Sequence, residues 1–465
     1  MDADDARVRS QEWDDSHWWT VLNDPILNDL VQSAYAQNLT LREAGFRVLQ
    51  NRARLAAAVG GLFPQTQVMD GGFEQVNLSR AVANRQALPQ PFYSQWTYGF
   101  TMAWELDFWG RFRRSIETSR RELDASVEGY DDVLVTLIGD VAATYVQIRT
   151  IQQQIAYARQ TLALQRESLN LASARFKGGE SSELDVNQGK SDVAATEALI
   201  EQLAIPLREA TNRLCVLLGR PPEELLCKLG DAPIPTAPPD VVVGVPCDLI
   251  RRRPDVRRAE RLAAAQCAQI GVAVSELLPK ISLDGSFGWS AEQFTDLFGG
   301  QAFRGSIGPS FQWNVLNYGR LLANIRVQDA RFEELVVKYQ HTVLTAGEEV
   351  ENGLVTFLRA QQAARRQLES VQAETEAFKQ AIDQYRGGLV DYNRVVVIQE
   401  RLVDRQQSLA QSQGQIALGL IQVYRALGGG WQIRCGEPGA AVPPVAPVAD
   451  KPAAKPDTLP PATPK

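Results

Sequence analysis

The sequence predicts an α+β fold made of two tandem repeats, each of which joins two β-strands to a pair of long α-helices. Three observations support this prediction. A Trp-rich stretch that ends in aromatic-Gly-Arg occurs at residues 102–111 (MAWELDFWGR) and again at 311–320 (FQWNVLNYGR). Apolar and polar residues alternate before each copy, and a long proline-free region with helical spacing follows each copy. Because repetition on this scale affects every later prediction, we treat the chain as two copies of one unit.

Composition excludes several classes of protein. The 465-residue chain has a formal net charge of −7 at pH 7 and no basic run, which disfavours a nucleic-acid surface. Its two histidines and five cysteines are scattered, so no metal centre is expected. We expect no enzyme, because no nucleophile and base or metal-ligand set stands out. The most apolar run, residues 133–146, contains Asp140 and is shorter than the roughly 18 to 20 residues of a membrane helix.

The repeat extends through most of the chain. Positions that align at a common offset of 209 residues are Trp104 with Trp313, Gly110 with Gly319, 176–179 with 385–388, and Leu218 with Leu427. Upstream, LFPQTQVMDGGF at 62–73 matches LLPKISLDGSF at 277–287 at a larger offset, so the first repeat contains a short insertion. The predicted division is an N-terminal segment 1–40, a first repeat 41–219, a Pro-rich linker 220–247, a second repeat 248–428 and a C-terminal segment 429–465.

Each repeat has two predicted strands, within residues 64–109 and within 279–318. In both pairs bulky apolar residues alternate with small polar ones, except that the first run, QVMDGGFEQVNLS, alternates poorly. A soluble sandwich produces such alternation when one face is buried and the other is wet. A transmembrane β-barrel produces it too, with aromatic residues turned to lipid. Four strands cannot close a barrel and a bilayer tolerates no open edge, so the membrane hypothesis requires several chains.

The long helices are predicted at 111–177, 180–218, 320–386 and 389–427. In the first, apolar residues follow one another by three or four positions, as in a coiled-coil seam. These residues are Tyr130, Leu134, Leu137, Val141, Tyr145, Ile148, Ile151 and Ile155. A single helix of this length would extend on the order of 100 Å. The Gly pairs at 178–179 and 387–388 are expected to reverse the chain, and Pro206 is expected to kink or break the second helix.

The order of these parts, the paired Leu-Pro and aromatic-Gly-Arg sites, and PCDLIRRRPDVRRAE at 246–260 resemble the TolC-like outer-membrane channels. The similarity is greatest to the outer-membrane lipoproteins (NodT-type) of resistance-nodulation-division (RND) tripartite efflux systems, and it covers roughly residues 11–430. The resemblance implies a homotrimer, with a twelve-stranded β-barrel in the outer membrane, a twelve-helix tunnel across the periplasm and a mixed α/β equatorial belt.

The resemblance also implies a function without catalysis or a cofactor. The channel would be a passive exit for small toxic compounds or drugs, driven by an inner-membrane RND pump through a periplasmic adaptor protein. An outlet for type I protein secretion shares the fold and is one alternative. A soluble coiled-coil scaffold with a β-sandwich head is an alternative from a different class.

Site residues follow from the resemblance. The residues expected to face lipid are Trp96, Tyr98, Phe100, Trp104, Phe311 and Trp313. The expected adaptor-docking residues at the hairpin tips are Gly178, Gly179, Leu184, Asp185, Gly387, Gly388 and Tyr392. At the tip gate, Val397 and Glu400 stand where related channels carry Asp and Arg. The gate candidates are therefore Val397, Glu400, Arg401 and Asp404, and the constriction is either an acidic ring at Asp404 or apolar.

Other expectations concern the belt, the cysteines and the termini. Asp248, Arg252, Arg253 and Asp255 are expected to form belt salt bridges, with an anion site among the arginines as the alternative. Glu105 and Asp107 are expected to be solvated charges. Cys227 could pair with Cys247 or with Cys435. Family lipoproteins begin at a lipidated cysteine after a signal peptide, and this sequence has neither. We interpret the sequence as truncated or altered at its N-terminus and expect a lipid anchor in the native form, with a non-lipidated variant as the alternative. Residues 436–465 are rich in proline and expected to be disordered.

Overall fold

The computed structural model describes residues 8–9, 16–79, 81, 92–242 and 251–435. They form two compact units. The helical unit consists of the described residues within 1–42, 131–253 and 346–465, and the sheet unit of those within 43–130 and 254–345. Asp248, Cys247 and the Pro-rich tail at 436–465 lie outside the described residues.

Eight α-helices span most of the described chain. They are α1 (Pro25–Gln37), α2 (Leu39–Gly60), α3 (Arg111–Lys177), α4 (Glu183–Leu217), α5 (Leu226–Leu229), α6 (Pro254–Ser275), α7 (Arg320–Arg386) and α8 (Tyr392–Ala426). Helices α3 and α7 each contain 67 residues, and α4 and α8 each contain 35. Pro206 lies inside α4 without ending it, so of the two expected outcomes the break is wrong, and a kink at Pro206 stays a prediction. Short 3₁₀ turns occur at Trp18–Leu22, Phe294–Asp296, Gly300–Ala302 and Trp431–Arg434.

In the described residues, six strands form two sheets. In the helical unit β1 (Val8–Arg9) pairs in parallel with β4 (Val241–Val242). In the sheet unit β2 (Thr66–Asn77), β3 (Phe92–Glu105), β5 (Lys280–Ala291) and β6 (Phe303–Gln312) form an antiparallel sheet in the order β2-β3-β5-β6. Within the described part of the chain, β2 and β6 each pair on one side only.

The register of this sheet places the aromatic residues on one face. Trp96 is opposite Phe73 and Ala291, Tyr98 is opposite Trp289, and Phe100 is opposite Met69 and Phe287. The other face carries small and polar residues, including a Ser286–Ser306 hydroxyl contact of 2.9 Å. Almost every residue of β2 and of β6 is exposed, so neither face has the covering layer that a soluble sheet normally has.

The core of the helical unit follows the predicted seam of α3. From Leu134 to Ile155 every seam residue is buried. Helix α8 approaches α7 closely where α8 has a small residue: a Cβ on Gly419 would lie 2.8 Å from the backbone nitrogen of Phe357 in α7. Each fully buried aliphatic side chain in such a core contributes about 1.5 to 3 kcal/mol. The two long hairpins are therefore held by ordinary side-chain packing along their length.

One helix in the described residues, α3, contains a window long and apolar enough to cross a membrane by length and composition. From the sequence we expected no apolar run as long as a membrane helix, and this expectation is wrong for α3. However, 72% of the window is buried inside the protein, as expected for a helix that contributes to a core.

Candidate functional site

The two hairpin tips have the same backbone geometry. After α3, Gly179 has a φ of +75° and the amide of Glu180 donates to the carbonyl of Arg175 over 2.9 Å. After α7, Gly388 has a φ of +72° and the amide of Leu389 donates to the carbonyl of Gln384 over 2.9 Å. This is the Schellman pattern that ends helices, and its left-handed residue favours glycine. The predicted tip glycines thus make the turns that reverse the chain.

Tyr392 lies inside the tip. It is only 1% exposed, and its ring centroid is 5.2 Å from that of Tyr385, which is also buried. A Cβ on Gly189 of α4 would lie 2.7 Å from the Tyr392 hydroxyl, so the missing side chain leaves room for the tyrosine. Burial raises the pKa of Tyr392, and the carboxylate of Asp192 acts in the same direction. Within this chain the tyrosine supports the tip from inside.

Two polar contacts join the hairpins. The Arg175 guanidinium, at the end of α3, lies 4.9 Å from the Tyr385 ring centroid and donates to the Tyr385 carbonyl. In the other direction, the Tyr385 hydroxyl donates to Asp185 of α4 over 3.4 Å. The sequence analysis identified Asp185 but missed Arg175 and Tyr385, since the two lie 210 residues apart.

The gate candidates lie along α8. Val397 is half-buried, whereas Glu400, Arg401 and Asp404 are exposed in the single chain. Glu400 interacts with Asp192 of α4: burial and then the charge of Glu400 raise the pKa of Asp192 to about 6. The Asp192 Oδ2 atom is buried without a hydrogen-bond partner. The charges of these two carboxylates therefore interact, one on α4 and the other on α8.

The accessible surface of the tips includes apolar side chains among charged ones. Leu184, predicted to dock an adaptor, is 64% exposed, and Leu389, which the sequence analysis did not single out, is 79% exposed. Phe176 is also exposed beside the glycines of the first turn. Exposed Leu and Phe on turns are costly in water and are typical of contact surfaces.

The sheet positions the predicted lipid-facing residues as a continuous aromatic surface. The Phe73 and Trp96 ring centroids lie 4.6 Å apart, and those of Phe100 and Phe287 lie 5.3 Å apart. Trp96, Tyr98, Phe100 and Trp104 are half-buried by their neighbours, whereas Phe311 and Trp313 on the edge side are exposed.

Trp104 and Trp313 have a second role at the helix-proximal end of the sheet. The indole nitrogen of Trp104 donates to the Leu62 carbonyl over 3.0 Å, and that of Trp313 donates to the Leu277 carbonyl over 2.9 Å. Both acceptors are two residues before the Pro that precedes a strand. Each indole therefore ties the end of one strand to the start of its partner, while the ring stays partly exposed.

The strand-to-helix junction of the first half is stabilised by charges. Glu105 makes a bidentate pair with Arg111, with both distances 2.9 Å. Asp107 accepts the amides of Phe112 and Arg113 over 2.9 and 3.0 Å, which caps α3. The Asp107 side chain is only 12% exposed. The expectation that Glu105 and Asp107 are solvated is therefore wrong: the backbone amides at the start of α3 hold Asp107, and Arg111 holds Glu105.

Among the belt candidates, Arg253 is buried and makes two contacts in the helical unit. It donates to the Ala426 carbonyl over 2.7 Å and pairs with Glu349 over 2.8 Å. Arg252 is exposed, Asp255 is in the first turn of α6, and Asp248 is outside the described residues. These contacts favour a salt bridge over an anion site at Arg253.

A buried polar group that the sequence analysis missed holds the linker. Arg149 is fully buried in α3 and donates to the carbonyls of Leu229 and Gly230 over 2.8 and 2.6 Å. Beside it the Tyr145 hydroxyl donates to Asp24 over 2.6 Å, and burial raises the pKa of Tyr145. The available signal was an Arg directly after the seam residue Ile148 and four residues after Tyr145, since an unpaired charge is not tolerated in a core.

No group of side chains that could hold a metal ion occurs in the part of the chain that the structure describes. Cys435 is a free thiol in the structure. Since Cys247 lies outside the described residues, the pairing of Cys227 stays an open prediction.

Comparisons with known proteins agree on the family. The chain matches the family described as "Outer membrane efflux protein" over residues 30–220 and 245–429. It is 31% identical to the pyoverdine export outer membrane protein OpmQ of Pseudomonas putida, over 91% of this chain and 90% of that protein. It is 30% identical to nodulation protein T of Rhizobium leguminosarum bv. viciae, over 90% and 84% of the two chains.

Solved structures give the same result for the fold. The outer-membrane channel OprN superimposes with a TM-score of 0.87 at 30% identity, covering 93% of this chain and 96% of that one. The open state of the MtrE outer membrane channel of Neisseria gonorrhoeae gives a TM-score of 0.79 at 23% identity, covering 92% and 95% of the two chains.

Proposed function

Because this chain belongs to the outer membrane efflux protein family, we propose that three copies form the exit channel of a tripartite efflux pump. The protein is an outer-membrane efflux component that extends into the periplasm. It would act as a passive conduit, with an inner-membrane RND pump supplying the driving force through a periplasmic adaptor protein. No step of this function requires catalysis.

The observation that carries the proposal is the uncovered, open-edged sheet. Its aromatic face and its polar face are both exposed, and β2 and β6 each leave one edge unpaired within the described residues. A membrane protein must satisfy every backbone amide and carbonyl in the lipid region. Pairing β2 of one chain with β6 of the next satisfies them, and three chains give a twelve-stranded barrel. Aromatic residues then meet lipid and Ser, Thr and Gly line the lumen.

Exposed apolar residues on the first part of α7 support the same assembly. Leu322, Val327, Val337 and Leu344 are each more than half exposed on this helix. An apolar stripe of this kind is normally covered by another helix. A neighbouring copy of the chain is the partner that this proposal assigns to it.

The hairpin tips are the proposed contact with the adaptor. Leu184, Leu389 and Phe176 supply the apolar surface, and the predicted glycines 178–179 and 387–388 hold it in place. Inside the tip, Val397, Glu400, Arg401 and Asp404 are the proposed constriction. Because the charge of Glu400 already acts on Asp192 of α4, we assign Glu400 mainly to this interaction within the chain, and Asp404 is the acidic candidate for the lumen.

The proposed cargo is small toxic compounds. Relatives of this chain are named as a toluene efflux pump outer membrane protein and as a solvent efflux pump outer membrane protein, both of Pseudomonas putida. These names favour small-molecule efflux over protein secretion for this chain.

Single-channel recording in planar bilayers tests this function. We would compare the wild-type protein with Arg175→Ala, which removes the Arg175–Tyr385 contact, one of the two polar contacts that join the hairpins. The proposal predicts discrete conductance steps, larger for Arg175→Ala than for the wild type because the tip is loosened. If trimers of Arg175→Ala insert into the bilayer but pass no ions, the proposal that this protein is a channel is contradicted.

A further inference from the structure

Within one chain, helix α3 of the first repeat packs against helix α6 of the second. The Glu128 carboxylate pairs with the Arg257 guanidinium over 2.6 Å. Towards the sheet, a Cβ on Gly271 would lie 3.1 Å from the Cγ atom of Arg114. Residue numbers rise along α3 as they fall along α6, so the two helices are antiparallel. The contact shows how a helix of the first repeat fits against a helix of the second.

This pair of helices is attached to a pair of strands. Helix α6 leads into β5, helix α3 follows β3, and β3 pairs with β5. Helices α2 and α7 have the corresponding places beside the outer strands, since α2 leads into β2 and α7 follows β6. Helices α2 and α6 both have 22 residues and begin 215 residues apart, and α3 and α7 both have 67 residues and begin 209 residues apart. Pairing of β2 with β6 of the next copy would therefore bring α2 and α7 together as α6 and α3 are.

The side of α2 that corresponds to the contact on α6 is uncovered in the single chain. In α6, Ala268 lies one turn before Gly271, on the side that meets α3, and it is buried. At the corresponding position of α2, Ala53 is exposed. One turn earlier in α2, Leu49 is 44% exposed. Helix α2 thus has an apolar side with small residues, which another helix can approach closely.

The corresponding side of α7 is apolar as well. In α3 the side chain of Glu128 is only 16% exposed, whereas Val337, at the corresponding position of α7, is 61% exposed. Val327 lies on the same side of α7 and is also more than half exposed. In an antiparallel pair with the geometry of α3 and α6, Val327 lies within one helical turn of Leu49. The two uncovered sides therefore match in position and in polarity.

A pair of opposite charges lies at the edge of the same two surfaces. In the contact within the chain, a Cβ on Gly129 of α3 would lie 3.5 Å from the Nε atom of Arg258 in α6. The corresponding residues are Lys338 of α7 and Glu43 of α2. Both are exposed, and Lys338 has no ion-pair partner in the part of the chain that the structure describes. The geometry of the repeat thus brings an unpaired cation beside a carboxylate.

We propose that α2 of one copy packs antiparallel against α7 of the next, and that Glu43 of the one pairs with Lys338 of the other. The proposal rests on the proposed function, since it requires copies arranged in a closed ring. Each copy contributes a different surface to the contact, as rotation in a ring demands. The apolar side chains supply most of the affinity, because an exposed ion pair contributes little, and the ion pair fixes the register.

Cross-linking of the detergent-solubilised wild-type protein with a water-soluble carbodiimide tests this contact. The reagent joins a lysine amine to a carboxylate that touches it and adds no spacer, and mass spectrometry of the peptides identifies the linked residues. We expect a peptide in which Lys338 is joined to Glu43, found in covalent dimers and trimers of the chain. Trimers in which Lys338 is linked only to acids of its own chain, such as Glu334 one turn before it, would overturn the proposal. Absence of trimers before cross-linking would instead contradict the proposed function.

Two variants expressed together show whether the link joins different copies. Glu43→Gln and Lys338→Gln each lack one of the two groups, so in mixed trimers the link forms only between chains. Each variant alone should lose the link, and the mixture should regain it. Lys379→Gln is the matched control, because this other lysine of α7 pairs with Glu376 of its own helix over 2.7 Å, and it should leave the yield unchanged. A mixture that does not regain the link, or an equal loss in Lys379→Gln, would overturn the proposal.

Discussion

The first half of the chain, 41–219, and the second half, 248–428, share a backbone plan but differ in the chemistry that stabilises it. At the strand-to-helix junctions Gly110 and Gly319 have φ values of +80° and +81°. In the first half Glu105 and Asp107 hold the junction through Arg111 and the amides of α3. At the same offset, the second half has Asn314 and Leu316 in place of the two acids.

The second junction is exposed as a consequence. Val315, Leu316 and Tyr318 are exposed apolar or aromatic residues, and Tyr318 has a φ of +50°, which is unusual for a residue with a side chain. The difference indicates that the first junction is stabilised within the chain, while the second depends on surroundings such as lipid or a neighbouring copy. The same asymmetry occurs at the tip, where Arg175 and Asp185 of the first half contact Tyr385 of the second.

The largest expected effect is at the first junction. Asp107→Ala removes a cap that satisfies two amides and also contacts Arg113, so we expect a loss of about 2 kcal/mol in the free energy of unfolding. Leu316→Ala, at the equivalent position, should cost only about 0.5 kcal/mol. Thermal unfolding in detergent, followed by circular dichroism, gives both values. Equal losses would show that the two junctions do not differ as described.

The next effect is at the tip. Arg175→Ala removes a hydrogen bond to a buried carbonyl and a cation–ring contact, and we expect amide hydrogen exchange at 385–392 to rise about tenfold. Gln384→Ala, at the position equivalent to Arg175, is the control and should leave exchange unchanged. A similar rise of hydrogen exchange in both variants would show that Arg175 and Gln384 do not differ in their contribution to the tip.

A smaller effect concerns pH. Asp192 has a pKa of about 6 in the folded chain, above its ordinary value of 3.8, because of burial and of Glu400. The folded state therefore holds the proton more tightly, and stability should fall as pH rises from about 4 to about 6. The solvent-accessible part of the group reduces the effect to the order of 1 kcal/mol. Asp192→Asn should abolish this dependence in hydrogen exchange at the tip.

The equivalent position in the second half is occupied by Arg401, which provides the control for that measurement. Arg401→Gln should leave the slope of stability against pH between 4 and 6 unchanged. If the pH dependence of stability disappears in Arg401→Gln but persists in Asp192→Asn, the titrating group is not Asp192 of α4.

The smallest expected effect comes from moving the two acids of the first junction to the second junction. Asn314→Glu combined with Leu316→Asp places the two acids of the first junction in the second, beside Arg320 and the amides of α7. We expect a gain of about 1 kcal/mol in the free energy of unfolding, measured by the same thermal method. A loss of stability would show that the second junction needs its apolar residues for contacts outside the chain.

The long helices and most of the sheet could be predicted because their patterns are local. Period-two alternation with aromatic residues is visible in β3, β5 and β6, and the apolar spacing from Leu134 to Ile155 matches the buried seam. Strand β2 alternates poorly, yet it pairs with β3 along its whole length, because pairing partners outweigh intrinsic preference in strands.

The candidate site was less predictable. Arg175 and Tyr385 are 210 residues apart, and no local pattern joins them. The burial of Tyr392 depends on the gap at Gly189, which is visible only when α4 and α8 are packed together. The position of Asp107 was informative, since an acid just before a helix is a common cap. The prediction that it is solvated did not take into account the backbone amides at the start of α3.

The mass of the protein extracted from outer membranes, with the bound detergent subtracted, tests the central claim most directly. Within the described residues β2 and β6 each have one unpaired edge, and if three copies close these edges as proposed, the particle should be homogeneous and have three times the chain mass. A homogeneous monomer or dimer that stays in solution without detergent would contradict the channel, because its sheet would then have a water-exposed aromatic face and no lipid to cover it.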